Sequence, residues 1–171
     1  MKFVVRGFWF GSLAGFLFTL FSTYLNVKSL LGIQIDSYVF ITGRDAFFFG
    51  FLALFTLLNI LFFAYSRVVF TIPDAMLWIP CRRYWTRDKQ HRAAANQIIS
   101  HAAWVVAATV NFFLCYWLVV IKHENHFEGS KLPEVNWFYW PGVLMLCSLL
   151  AVPLRLLIKN TNLLARRDGD L

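Results

Sequence analysis

A chain of 171 residues that is 59% hydrophobic, 19% aromatic and only 15% charged carries more apolar surface than one water-soluble core of that size can hide. The composition marks an integral membrane protein, so the formal charge of +7 is read against the membrane before nucleic acid, and no nucleic-acid partner is expected. Three cysteines, Cys81, Cys115 and Cys147, cannot all pair and form no C-x-x-C, which argues against a thiol–disulfide oxidoreductase.

Lys2 and Arg6 precede a first apolar span expected over residues 7–25. Its length is sufficient to cross a bilayer, and Ser22 to Asn26 offers no small-x-small cleavage pattern, so the segment is read as a retained helix. Gly7, Gly11, Gly15, Thr19 and Thr23 recur every four residues and predict a continuous stripe of small side chains that admits close helix packing. Packing within one bundle is the first expectation for this stripe, with association between chains the second. Residues 26–44 form a short outer link that is apolar enough to lie at the interface. A second span is expected over 46–65, interrupted only by Asn59. An Asn in hydrocarbon seeks a partner helix.

The central polar segment, Ser66 to His101, holds Arg67, Arg82, Arg83, Arg87, Lys89 and Arg92 against Asp74 and Asp88. Such a cluster resists translocation and sets the orientation of the other segments. Pro73 and Pro80 preclude one regular helix through this region. The interleaved Met76, Leu77, Trp78, Ile79, Tyr84 and Trp85 predict a segment lying on lipid headgroups, with Arg82, Arg83, Tyr84 and Trp85 as the contact with headgroups or a partner. Thr86 is the expected N-cap of a long helix, with Asp88 in its first turn. That helix should stand in the cytoplasm at its start and cross the membrane over 102–121. Asn111 then falls at a depth similar to that of Asn59, so an intramembrane pair is geometrically allowed at 1.5 Å per residue. Its default role is a structural hydrogen bond; its alternative is to line a substrate path.

The second outer link, Lys122 to Trp140, ends in the aromatic run Trp137-Phe138-Tyr139-Trp140, and a fourth span is expected over 142–157. Of the 16 basic residues, two N-terminal, six central and four C-terminal ones then lie inside, with both termini cytoplasmic. The predicted fold is an all-α membrane protein, residues 1–171 as one four-helix domain of two hairpins joined by the basic segment. Its expected place is the bacterial inner membrane. His123 and His126, with Glu124 and Glu128 nearby, are weak metal candidates because they lack H-E-x-x-H spacing. No histidine lies within a predicted span to ligate a haem, and no set of intramembrane acids marks a proton relay. No cofactor and no catalytic residue is assigned.

The stretch Ile79-Pro80-Cys81-Arg82-Arg83-Tyr84-Trp85 between two hydrophobic hairpins, together with Gly43-Arg44-Asp45-Ala46-Phe47-Phe48 at the second helix entry, resembles a family of small bacterial membrane proteins of unknown function. A related domain occurs in SdpI-type immunity proteins. The resemblance implies an immunity-like role; the residues themselves point to a non-enzymatic protein that associates through helix faces with lipids and other membrane chains. The rival expectation is a small membrane enzyme or transporter using the His123 to Glu128 loop.

Overall fold

The computed structural model describes residues 2–27, 30–35, 38–126, 140–151, 154, 155, 157 and 158. In chain order it consists of α1 (Lys2–Asn26), a β-hairpin of β1 (Leu30–Ile35) and β2 (Tyr38–Gly43), α2 (Arg44–Val68), a 3₁₀ turn (Asp74–Met76), α3 (Arg82–Trp85) and α4 (Lys89–His126). A further apolar helix, α5, covers Trp140–Ala151. Three helices, α1, α2 and α4, are long and apolar enough to cross a membrane. The predominantly helical class follows from uninterrupted Leu, Phe and Ala runs that satisfy their own backbone hydrogen bonds, as a lipid environment demands.

Helix α4 is the inner element. Buried residues make up 44% of its most apolar stretch, against 17% in α1 and 17% in α2, and it packs against both. The outer faces of α1 and α2 instead expose large apolar side chains such as Phe18, Phe21, Phe49, Leu57 and Ile60. This inside-out distribution suits hydrocarbon as solvent. At its 38 residues, α4 is about 57 Å long at 1.5 Å per residue.

The core is layered along α4. Its main cluster contains Phe16 and Leu20 of α1, Phe47 and Phe55 of α2, and Leu114, Leu118 and Ile121 of α4. The Phe16 and Phe55 rings stack with centroids 4.0 Å apart. At the end of the bundle away from the basic segment, the Lys122 amine donates to Ser22 Oγ at 3.0 Å, and the Tyr24 hydroxyl donates to Asp45 at 3.0 Å. Arg44 lies over the Tyr24 ring.

The link expected to be an interfacial loop is an antiparallel hairpin, with Leu30 opposite Gly43 and Ile35 opposite Tyr38. Pairing its backbone groups removes the cost of leaving them bare near lipid. The expected N-cap also moves: the Thr86 hydroxyl donates to the Arg82 carbonyl, while Asp88 accepts the His91 backbone N–H at 2.8 Å. Asp88 therefore caps α4. These bonds to the ionised form hold its carboxyl below the usual carboxylate range, with the His91 backbone N–H the largest cause.

The basic segment folds into a cap over the first turns of α4 rather than lying flat on a surface. Val69 and Leu77 bury against Ile99, and Trp85 buries against Ala95 with Ile79, Tyr84, Ala94 and Ile98 around it. Arg92 forms a salt bridge to Asp74 at 3.2 Å and donates to the Ile72 carbonyl; Arg82 donates to the Ala75 carbonyl at 2.9 Å. Two arginines thus hold the 72–76 turn onto the helices. Cys81 closes the preceding turn with φ 55, in the left-handed region.

Candidate functional site

The polar centre of the bundle is built from three helices. Asn59 Nδ2 donates to Asn111 Oδ1 at 2.9 Å, and Asn111 Nδ2 donates back to Asn59 Oδ1 at 3.2 Å. Asn111 Nδ2 also donates to Ser12 Oγ at 3.0 Å, and Trp9 Nε1 donates to Asn59 Oδ1 at 3.0 Å. One carboxamide pair therefore joins α2 to α4, while Ser12 and Trp9 bring in α1. The remaining donors are also used: Ser12 Oγ donates to the Trp9 carbonyl at 2.7 Å, and Asn59 Nδ2 donates to the Phe55 carbonyl at 2.9 Å. Ser12 and Asn111 are fully buried, at 0% and 1% exposure. The Trp9 ring meets Trp104 edge-on with centroids 4.6 Å apart, and Phe63 covers Trp104 from the α2 side.

The network has no ionisable member and no strong nucleophile. Its amide groups hydrogen-bond one another, and apolar rings close it toward one end. Chemically it can hold three helices in a single rotational setting, since a slip of one residue would separate partners by about 100° around a helix. The sequence identifies Asn59 and Asn111; Trp9 and Ser12 are missed, although a Ser three residues after a Trp inside an apolar run is a readable polar break.

The small-residue stripe divides between two faces. Thr23 is buried and Thr19 half-buried, but a Cβ added at Gly7, Gly11 or Gly15 would meet nothing within 4 Å. The reason lies in helix geometry: each four-residue step advances about 40°, so five positions sweep about 160°. The buried face of α1 is instead Ser12, Phe16, Leu20, Thr23 and Val27. Among the described residues, then, no neighbouring helix packs directly onto the three glycines, the arrangement named as the first expectation.

The proposed headgroup contact is likewise divided. Arg83 is exposed and Tyr84 half-buried against Trp85 and His91, but Trp85 is only 1% exposed and belongs to the cap's interior. Alternation of aromatics with arginines reports two environments without saying which ring enters which. Trp78, 97% exposed, and Met76 hold the outward positions instead. Of the metal candidates, His123 and His126 lie on the helical backbone of α4, while their side chains and the rest of the outer link are outside the described residues. Among the described residues no three His, Cys, Asp or Glu side chains converge as a metal site.

No family model matches this chain, and neither a curated protein nor a solved structure shows significant similarity to it.

Proposed function

We propose that this protein is a non-enzymatic, multi-pass protein of the bacterial cytoplasmic membrane that acts by lateral helix association, as an accessory subunit of a membrane complex or as an immunity-like protective factor. The observation that carries the reading is the division of α1: its Ser12–Phe16–Leu20 face is closed onto the bundle, whereas Gly7 and Gly11 are exposed and half-buried Gly15 borders that face, and a Cβ at any of the three would meet nothing within 4 Å. Within lipid, exposed small residues favour close approach of another helix through packing and backbone contacts. The occupant is a transmembrane helix of another chain. The resemblance of the Ile79 to Trp85 stretch to immunity-related membrane domains supports a protective role within the same reading.

In the proposed topology four spans cross the membrane and both termini are cytoplasmic. Support comes from α5, whose Leu149 lines the same apolar groove as Tyr65, Ile79, Ile99 and Val106 at the capped end of the bundle. Reporter fusions at Gly129 and after Leu171 should report opposite sides; the same side for both overturns the topology.

The association is tested by pairing Gly11→Leu with Leu17→Ala, an exposed position on a different face of α1. Leu13 is unsuitable as the control because it packs against the main core. After mild solubilisation, Gly11→Leu should lose co-purifying membrane chains while keeping the parent's thermal stability, and Leu17→Ala should retain both. Unchanged partner recovery in Gly11→Leu removes the basis for the proposal.

A further inference from the structure

At the capped end of the bundle, α1, α2 and α4 diverge around a cleft of about 180 Å³ lined by Val5, Arg6, Ser66, Arg67, Phe70, Gln97, Ser100, His101 and Trp104. Each helix contributes polar groups: Arg6 from α1, Ser66 and Arg67 from α2, and Gln97, Ser100 and His101 from α4. The lining contains two guanidinium groups, an imidazole, two hydroxyls and a carboxamide, but no carboxylate. Trp104 forms the floor, next to the polar network.

The contrast with the neighbouring arginines is informative. Arg92 pairs with Asp74 and donates to the Ile72 carbonyl, and Arg82 donates to the Ala75 carbonyl. Among the described residues Arg6 and Arg67 pair with no acid; Arg67 only approaches the Phe63 ring, 5.4 Å from its centroid. Two guanidinium groups without acids on one small cleft raise the local positive potential and present forked donors, the geometry that matches phosphate oxygens. The volume equals that of about six waters at 30 Å³ each, enough for one phosphate group. In the proposed topology this end of the bundle, next to the basic segment, lies at headgroup depth.

We propose that this cleft binds a phosphate-bearing anion, with Arg6 and Arg67 as the charge-bearing donors and Ser100 and Gln97 as neutral donors. The occupant in the membrane is the headgroup phosphate of an anionic phospholipid. The site is separate from the helix face assigned to association, and its failure would leave that assignment standing.

The test uses the full chain in neutral detergent, as the parent and as Arg6→Gln, Arg67→Gln, Ser100→Ala and Arg87→Gln variants. Native mass spectrometry would count retained phosphatidylglycerol against phosphatidylcholine, and thermal shifts would be read with phosphatidylglycerol or with inorganic phosphate alone. The parent should retain phosphatidylglycerol in preference to phosphatidylcholine. Arg6→Gln and Arg67→Gln should each weaken that retention about tenfold or more, Ser100→Ala should weaken it less, and Arg87→Gln, at an exposed arginine outside the cleft, should leave it unchanged. Stabilisation by inorganic phosphate, lost in the two cleft variants without any lipid preference in the parent, would support the anion site and assign it to a soluble phosphate. Three results overturn the proposal: no response of the parent to either anion, equal retention of the two lipids without a phosphate response, or equal loss in Arg87→Gln and the cleft variants. Unliganded melting of each variant keeps misfolding distinct from lost binding; if an arginine variant misfolds, an unchanged response in folded Ser100→Ala and in the other arginine variant also overturns it.

Discussion

The Asn59–Asn111 pair gives the sharpest test of what holds the three long helices in register. Asn111→Leu keeps the branched shape of the side chain but removes three interhelical hydrogen bonds: the two it donates, to Ser12 and Asn59, and the one it accepts from Asn59. At about 0.6 kcal/mol per bond in a membrane protein, the expected loss is about 2 kcal/mol. The partners left behind limit the penalty. Ser12 still donates to the Trp9 carbonyl, while Asn59 still receives the Trp9 N–H and donates to the Phe55 carbonyl. Because two of the bonds are shared, Asn59→Leu and Asn111→Leu should couple by about 1.2 kcal/mol in a double-mutant cycle. The measurement is reversible unfolding in mixed micelles with increasing sodium dodecyl sulfate. Coupling indistinguishable from zero, or an Asn111→Leu protein as stable as the parent, would refute the claim that this pair fixes the bundle.

Trp85→Ala should destabilise the cap over α4 by about 3 kcal/mol, as expected for emptying a buried Trp site, while Trp78→Ala should change stability little; limited proteolysis between residues 69 and 89 would separate the two. Cys81→Asn should raise the melting temperature, since Asn tolerates the left-handed conformation at φ 55 better, with a gain on the order of 1 kcal/mol or less. The lowered pKa of Asp88 means that its carboxylate stabilises the folded state fully above the ordinary carboxylate value and that this contribution is lost as pH falls through the lowered one. The protection factor of the His91 amide, the exchange rate of an unstructured amide at the same pH divided by its own, should therefore fall in acid, and Asp88→Asn, which keeps a capping side chain, should flatten that pH dependence.

How much of this architecture the sequence reveals depends on the range of the interaction. The three long apolar helices and the long α4 follow from local composition, and Asn59 with Asn111 follows from counting residues from the basic boundary. The hairpin is legible in retrospect from Tyr38-Val39-Phe40-Ile41-Thr42, whose β-branched and aromatic residues follow a two-residue polar break, Asp36-Ser37. Trp85 is not legible: its burial depends on Ala95 and Ile98 being small or slim enough on the facing turn to receive an indole, a tertiary fact. The glycine stripe shows the opposite limit. A four-residue period is visible, and its drift of about 40° per step follows from helix geometry, but which part of the sweep meets a neighbour is decided only by the fold. Arg6, Arg67 and His101 are separated by up to 95 positions in the chain, so their common cleft exists only in the fold.

The unbroken length of α4 makes it a beam with an off-centre fulcrum. From Asn111, where the carboxamides tie it to α1 and α2, 22 residues run back to Lys89 and 15 run forward to His126, arms of about 33 and 22 Å at 1.5 Å per residue. Tilting the beam by about 5° at that point would move the capped end about 3 Å one way and the far end about 2 Å the other. The cap travels with the beam because Arg92 and Trp85 fasten it there. Any load that rocks the far end is delivered, enlarged by half, to the arginine-bearing end.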